Sequence, residues 1–488
     1  MTFVILLALQ RLFRMVFNSA TFGVFLLLVF FAYWFLFRKS LRLQNFFLVV
    51  VSYIFYGWWD WRFLGLIAIS SLFDFFIGMG IENAQTQARK KILLVTTLVL
   101  NLGLLGFFKY FNFFADSLVA LFGSMGIQID GPAFRILLPV GISFYTFQEL
   151  SYTIDIYRGK LKATRDPVAF FAFVSFFPQL VAGPIERAKN LLPQFYEPRT
   201  FSRGIAVTGL RLMLWGFFKK VVIADRLAKF VDPVYLDPAS FDGSSIVLAA
   251  VFFHIQVYCD FSGYSDIARG CARLFGFELM KNFDRPIYAS SLRDFWRRWH
   301  ISLTSWFKDY LYVPLGGSHK GVTRALRNII LVFLVSGLWH GAQWSFVIWG
   351  LLQGTMMCVE FLLSPKIKLP KIGGFILVTL FTIYTLIFFR AGTFENIAII
   401  HQKIFSSWES VSTLGHNLLQ VYGSALFVTI LLLVTALFLL ADRYQERVAG
   451  ALYKTNRPVR WAFYYAVLIL ILLLGVNDNA PNFVYFQF

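Results

Sequence analysis

The 488-residue sequence contains few charged residues, few cysteines and no linker rich in proline or serine. Charged side chains make up 15% of the chain, whereas about a quarter is typical of a soluble domain. Hydrophobic residues reach 58% and arrive in long blocks separated by short charged connectors. These features exclude a secreted disulfide scaffold, a disordered tail protein and an ordinary cytosolic enzyme. They predict an all-α polytopic membrane protein.

Several chemical signatures are missing. The three cysteines, Cys259, Cys271 and Cys358, lie in apolar surroundings without metal-ligand spacing. A P-loop, a zinc-ligand set and a GxSxG elbow are absent too, so ATP hydrolysis, a bound metal and Ser-triad hydrolysis are not predicted. The net charge is +19, and the basic residues cluster in the connectors. This pattern indicates anionic membrane lipid, and not nucleic acid, as the partner of these charges.

About 11–12 membrane helices are predicted from stretches of about 20 largely apolar residues. Basic connectors at 38–42, 89–91 and 158–165 fall on one side of the membrane if the N-terminus is outside. The candidate spans lie near residues 20–37, 43–59, 63–80, 92–113, 136–157, 205–224, 246–261, 327–345, 346–363, 374–390, 424–441 and 461–475.

The regular alternation of spans and connectors ends after residue 165. The apolar run 170–181 is short and contains Pro178, and the segments 186–203 and 280–325 are long and polar. Because irregular backbone at membrane depth must be buried in protein or line a cavity, we expect re-entrant or in-plane helices around a central site here. The chain is divided accordingly into an N-terminal extension or misassigned start at 1–14, N-terminal membrane helices at 15–165, a catalytic core at 166–350 and C-terminal membrane helices at 351–488.

Among the six histidines, His340 follows an apolar helix that begins after Arg327. At 1.5 Å per residue, this places the imidazole about 20 Å deep, where an ionisable side chain indicates a functional site. Gly337 and Gly341 flank it. These glycines either leave space beside the ring for a substrate or allow a tight helix contact, and the sequence alone leaves both readings open.

His300 lies in a segment that begins with Ser291 and Asp294, a pattern typical of a helix N-terminus. The 3- and 4-residue spacing predicts one amphipathic helix with a Trp-rich face and a basic stripe that includes His300. The arginines could simply anchor this helix at the membrane surface. Alternatively, Arg293, Arg297 and Arg298 could hold an anionic cofactor and lower the pKa of His300, which would keep the imidazole neutral.

Two further polar strings occur at 138–148 and 258–266. The second contains Tyr258 and Asp260. From the residues alone, both strings are more often structural than catalytic, because helix ends and close packing use the same residue types.

With these strings the chain resembles the membrane-bound O-acyltransferase family, and most closely its bacterial branch that includes the membrane subunit of alginate O-acetylation. The resemblance covers nearly the whole chain from Met15. The matching stretches are LPVGISFYTFQELSYTIDIYRG at 138–159, FFPQLVAGPIERA at 176–188, VYCDFSGYSDIARG at 257–270, NFDRPIYASSLRDFWRRWHISLTSWFKDYLYVPLGG at 282–317, LWHGAQWSFVIWG at 338–350, FFRAGTFENIA at 388–398 and VYFQF at 484–488.

The resemblance implies a ring of membrane helices around a central funnel, with His340 as the catalytic histidine and His300 as a second important one. It also implies acetyl transfer from a cytosolic thioester, for which acetyl-CoA is the expected donor, to an extracytoplasmic polysaccharide such as alginate. A lipase-like, SGNH-type partner outside a bacterial inner membrane would go with it. The residues that we assign to the substrate site or funnel are Trp296, Trp299, Asp309, Ser336, Trp339, Tyr258 and Asp260.

Other functions fit parts of this pattern. A shorter branch of the family transfers D-alanine to teichoic acid, but the length and C-terminal spans of this chain favour the alginate-like branch. A polysaccharide or lipid transporter could use intramembrane histidines as a proton path. A non-catalytic scaffold would tolerate the loss of both histidines.

Overall fold

The computed structural model describes residues 15–181, 183–364, 367, 369–408, 411–476 and 483–484. These residues form helices joined by short connections, and no strand occurs among them. The chain is an all-α polytopic membrane protein, as its composition predicted. The proposed extension at 1–14 lies outside the described residues, as does most of the C-terminal motif at 484–488.

The chain divides into two compact units. The first contains the described part of Met1–Met213 together with Ser265–Met280. Its helices are α1 Ala20–Phe31, α2 Leu41–Gly57, α3 Leu64–Asn83, α4 Gln87–Leu105, α5 Phe111–Ser124, α6 Ile142–Tyr157, α7 Pro167–Ser175, α8 Phe177–Leu180, α9 Ala188–Leu191 and most of α10 Arg203–Phe217. Single-turn segments lie at Ala32–Leu36, Trp61–Phe63, Gly106–Tyr110 and Leu192–Phe195.

The second unit contains Leu214–Tyr264 and the described part of Lys281–Phe488. Short π-helical or 3₁₀ segments lie at Phe218–Ala224, Pro238–Ser240, Pro286–Tyr288 and Lys308–Tyr312. Its helices are α11 Asp225–Leu236, much of α12 Gly243–Leu274, α13 Leu292–Arg298, α14 Ile301–Phe307, α15 Val322–His340, α16 Trp344–Leu363, α17 Lys371–Ala391, α18 Phe394–Ser406, α19 Val411–Tyr422, α20 Ala425–Arg443, α21 Gln445–Lys454 and α22 Arg457–Leu474.

Eight helices among the described residues are long and apolar enough to cross a membrane. They are Trp61–Asn83, Gln87–Ser124, Gly243–Leu274, Val322–His340, Trp344–Leu363, Lys371–Ala391, Ala425–Arg443 and Arg457–Leu474. Three shorter apolar helices are also present, at Ala20–Leu36, Leu41–Gly57 and Pro167–Leu180. Together with the eight, they come close to the predicted 11–12 membrane helices.

Two of the predicted spans, at 136–157 and 205–224, are not among these helices. The first is shortened because α6 begins only at Ile142, and it is buried in protein along nearly its whole length. In the second, α10 ends at Phe217 and a π-helical segment, Phe218–Ala224, follows. The apolar run at 170–181 likewise forms two short buried helices, α7 and α8, that break at Phe176.

Candidate active site

The Trp-rich segment that contains His300 forms two short helices. Ser291 caps α13 by accepting a hydrogen bond from the amide of Asp294 at 3.1 Å, as predicted. The prediction of one continuous helix is wrong, because α13 ends at Arg298 and α14 begins at Ile301. Between them, His300 adopts the left-handed conformation, with φ 43° and ψ 54°. For a residue other than glycine this costs on the order of 1–3 kcal/mol, and such strain concentrates at functional sites.

The hydrogen bonds of Asn282 determine the tautomer of His300. Oδ1 of Asn282 accepts from the backbone amide of Ser302 at 3.2 Å, so this atom must be the amide oxygen. The Nδ1 atom of His300 lies 3.2 Å from the same oxygen. Because the oxygen can only accept, Nδ1 of His300 donates, and Nε2 is the nitrogen that carries a lone pair.

The electrostatic environment of His300 is dominated by burial. The side chain is 1% exposed and packs edge-on against Phe261, with ring centroids 4.6 Å apart. Burial lowers the pKa of His300 to about 3. The imidazole is therefore neutral at physiological pH. The second alternative for the arginines also had a neutral imidazole, but the physical cause is desolvation and not the charge of neighbouring arginines.

His340 is the last residue of α15, and a close contact between α15 and α16 fixes its position. A methyl group on Gly337 would collide with the backbone carbonyl of Phe346, and one on Gly350 with that of Phe333. A methyl group on Gly341 would collide with the Phe346 ring. Of the two alternatives for Gly337 and Gly341, the structure therefore supports the tight helix contact.

The imidazole of His340 is 4% exposed and surrounded by aromatic rings. The centroids of Trp349 and Phe389 lie 5.2 Å and 5.4 Å from its own. Trp339 packs against both candidate histidines, with its centroid 5.1 Å from that of His340 and 5.9 Å from that of His300. The structure thus brings two imidazoles that are far apart in sequence to the same indole.

A cavity of about 30 Å³ lies beside His340 within the second unit. Trp296 and Trp299, which we assigned to the substrate funnel, line it together with Trp349. His254 of α12 and Gln353 of α16 contribute polar groups to the same wall. This volume is enough for one or two water-sized groups, since a water needs about 10–15 Å³.

The three predicted cofactor-binding arginines lie on α13, whose Phe295 and Trp296 line the cavity. Arg293 and Arg297 are exposed and one turn apart. Nε of Arg298 donates to Oδ1 of Asp294 at 2.8 Å. Arg293 also lines a second, larger cavity of about 620 Å³. The helix therefore presents its aromatic face to the cavity beside His340 and keeps two cationic side chains exposed.

Four other predicted site residues are not among the described residues that line this cavity. Tyr258 donates to Oδ2 of Asp442 at 2.9 Å. Oδ2 of Asp260 accepts from the amide of Val484 at 2.7 Å, and Oδ1 lies 2.5 Å from Nζ of Lys220. Both side chains thus have polar partners within the protein. Ser336 is buried near the end of α15, and Asp309 is half-buried in the π-helical segment Lys308–Tyr312.

Three residues of this region were not predicted from the sequence. Asn282 orients His300. In the sequence, Asn282 was marked only as a polar residue within a motif. His254 was counted among the histidines but not singled out, although it lies in the middle of an apolar helix and the argument applied to His340 applies equally to it. Gln353 is likewise a polar residue within an apolar helix, α16.

Comparisons with known proteins agree on one family. The model of the membrane-bound O-acyltransferase family matches residues 62–390. The probable alginate O-acetylase AlgI of Azotobacter vinelandii is 43% identical over 350 residues, which cover 71% of this chain and 68% of that protein. The corresponding protein of Pseudomonas aeruginosa is 38% identical over 442 residues, 88% of this chain and 83% of that protein. The peptidoglycan O-acetyltransferase of Helicobacter pylori is 32% identical over 537 residues and covers 99% of both chains.

Proposed function

We propose that this chain, a membrane O-acyltransferase, transfers an acetyl group from cytosolic acetyl-CoA to an extracytoplasmic polysaccharide. The chain belongs to the membrane-bound O-acyltransferase family. The relatives described above are named as O-acetylases of alginate or of peptidoglycan, and both polymers are polysaccharides with free hydroxyl groups. The expected location is the bacterial inner membrane. A lipase-like SGNH-type partner outside that membrane would pass the acetyl group to the polymer.

The observation that carries this proposal is the buried imidazole of His340 beside a cavity with aromatic walls. In this mechanism His340 acts as general base and takes the proton of the acceptor hydroxyl, which belongs to the polymer or to a serine of the partner. The hydroxyl oxygen then attacks the thioester carbonyl, the carbon–sulfur bond breaks, and the thiolate leaves with the proton from the imidazolium. The products are an acetyl ester and a free thiol.

His300 takes a supporting part in the proposed reaction. Because Nδ1 donates to Asn282, the lone pair of Nε2 can accept a hydrogen bond from a substrate group. A pKa of about 3 makes His300 a weak base, so it orients the substrate more effectively than it removes the proton. Arg293 and Arg297, exposed on α13, would attract the phosphates of the donor.

The test uses the purified full-length protein and His340→Ala, with His416→Ala as the matched control because His416 is exposed on α19. Thiol release from acetyl-CoA should fall by about 10²–10⁴ in His340→Ala, the range for loss of one general base, and should stay unchanged in the control. Cells that carry His340→Ala should also lose the acetyl esters of their surface glycans.

Other outcomes distinguish the alternatives. Normal polymer acetylation in His340→Ala cells would refute the proposal. Thiol release from a D-alanyl carrier thioester, but not from acetyl-CoA, would support D-alanyl transfer. Movement of polysaccharide without consumption of any thioester would indicate a transporter, and retained function after substitution of both His340 and His300 would indicate a scaffold.

A further inference from the structure

Three polar atoms of residues that line the cavity beside His340 have no hydrogen-bond partner in the described part of the chain. They are Nδ1 of His254, Nε1 of Trp296 and Oε1 of Gln353, and all three are buried. The three residues come from different helices, α12, α13 and α16, and all line the cavity that His340 also lines. Buried polar groups without a partner are uncommon in native proteins, and each calls for an explanation such as a bound ligand.

The chemistry of the three atoms is complementary. Nε1 of Trp296 can only donate a hydrogen bond and Oε1 of Gln353 can only accept one. Nδ1 of His254 can do either, depending on the tautomer of the imidazole. A single hydroxyl group fits this set, because its oxygen accepts from the indole while its proton is donated to the amide oxygen. A charged or purely apolar group would leave at least one of these atoms unsatisfied.

The side chain of Gln353 is held in place from its other end. Its Nε2 donates to the hydroxyl of Thr385 at 2.9 Å. Because the hydroxyl of Thr385 in turn donates to the carbonyl of Thr382 at 3.1 Å, it must accept from Gln353. This identifies the nitrogen of the Gln353 side-chain amide. The other atom, Oε1, is therefore the oxygen and can only accept a hydrogen bond. The contact between α16 and α17 thus fixes the orientation of the Gln353 side chain without a ligand.

The size and walls of the cavity limit what it can hold. Its volume of about 30 Å³ leaves room for a hydroxyl group and little more. The remaining wall is mainly apolar and aromatic, with Trp299, Trp349 and Phe389 among its members. Water-excluding walls strengthen each hydrogen bond made inside them.

We propose that His254, Trp296 and Gln353 form the binding site for the attacking hydroxyl group and hold it against His340. This inference rests on the proposed function and adds the part of the chain that recognises the acceptor. Trp296 donates to the hydroxyl oxygen and Gln353 accepts its hydrogen until His340 removes it. His254 supplies the second contact to the oxygen. All three are positioning residues, and His340 remains the base.

The experiment compares His254→Leu, Trp296→Phe and Gln353→Leu, each of which removes the polar atom and keeps an apolar side chain of similar size. His254→Asn is the conservative variant, because its side-chain amide retains a donor and an acceptor near the place of Nδ1. Trp461→Phe is the matched control, since Trp461 is exposed on α22. Surface-glycan acetyl esters are measured in cells, and acetyl-CoA binding is measured on the purified full-length protein.

The three apolar variants should lower ester content at least tenfold while the dissociation constant for acetyl-CoA changes less than twofold. His254→Asn should restore at least a third of the wild-type ester content, and Trp461→Phe should match the wild type. The inference is overturned if His340→Ala loses its esters but the three apolar variants keep more than half of theirs, or if His254→Asn is as poor as His254→Leu. If His340→Ala keeps its esters, the proposed function itself fails, and that result is distinct from the other two.

Discussion

The indole of Trp339 packs edge-on against the imidazole of His300, with 5.9 Å between the ring centroids. Its other neighbour is His340, the next residue in the chain, whose centroid is 5.1 Å away. Trp339 is therefore in contact with both histidines.

Truncation of this indole should affect both histidines at once. In Trp339→Ala we expect acetyl transfer to fall at least tenfold and the free energy of unfolding to fall by about 3–5 kcal/mol, the range for loss of a large buried aromatic side chain. Trp339→Phe should be affected less, because an aromatic ring remains to pack against both imidazoles. Thermal unfolding and thiol release measure the two effects. Trp461→Ala, an exposed position, is the control, and equal behaviour of Trp339→Ala and this control would contradict the assigned role.

The left-handed backbone of His300 allows its structural and chemical roles to be separated. Asn adopts this conformation more readily than most residues, whereas β-branched Val resists it. His300→Asn should therefore be inserted and stable but at least tenfold less active, while His300→Val should be both inactive and less stable. Membrane yield and melting temperature measure insertion and stability, and thiol release measures activity. Wild-type activity in His300→Asn would show that the imidazole is dispensable.

The low pKa of His300 predicts how stability depends on pH. The unfolded chain binds a proton at this residue near pH 6.5, whereas the folded chain binds it only near pH 3. Because the unfolded state holds more protons between these values, stability should fall as the pH falls from about 6.5 towards 3. In His300→Asn this contribution disappears, so its melting temperature should decline less steeply over that range than that of the wild type. Parallel declines would contradict a buried neutral imidazole.

Much of the site was visible in the sequence because it depends on local patterns. The 3- and 4-residue spacing after Ser291 placed Trp296 and Trp299 on one face, and that face does line the cavity. The depth argument identified His340 correctly as a buried histidine. The same argument could have identified His254, which also lies within an apolar helix.

The rest depended on contacts that local patterns do not encode. The break at His300 contains neither glycine nor proline, so no helix-breaking residue marked it. Asn282 is 18 residues from His300 and outside any helix, and only the folded chain shows that its oxygen selects the tautomer. Two predicted spans are not among the long apolar helices, and one of them, α6, is apolar enough to resemble a span but is shortened and buried in protein.

The contact between α15 and α16 should be sensitive to a single methyl group. Gly337→Ala would place a Cβ against the carbonyl of Phe346, and overpacking of this kind costs about 1–3 kcal/mol. We expect a lower melting temperature and reduced activity, because His340 ends the displaced helix. Gly415→Ala is the matched control, since its Cβ would meet nothing within 4 Å and alanine favours a helix by about 1 kcal/mol. If both variants are equally stable, the close approach of the two helices is incorrect.

The buried lysine of the second unit provides a last test, and it bears on whether Asp260 is structural. Nζ of Lys220 lies 2.8 Å from Oδ1 of Asp225 and 2.5 Å from Oδ1 of Asp260, and all three side chains are nearly inaccessible to solvent. Lys220→Met would leave two buried carboxylates without their cation, which costs about 3–5 kcal/mol. Asp225→Asn keeps the Lys220–Asp260 pair and should cost much less. A large loss of melting temperature in Lys220→Met with a small change in Asp225→Asn is therefore expected. If Lys220→Met instead kept its stability and lost only acetyl transfer, this cluster would belong to the substrate funnel and the structural interpretation of Asp260 would be wrong.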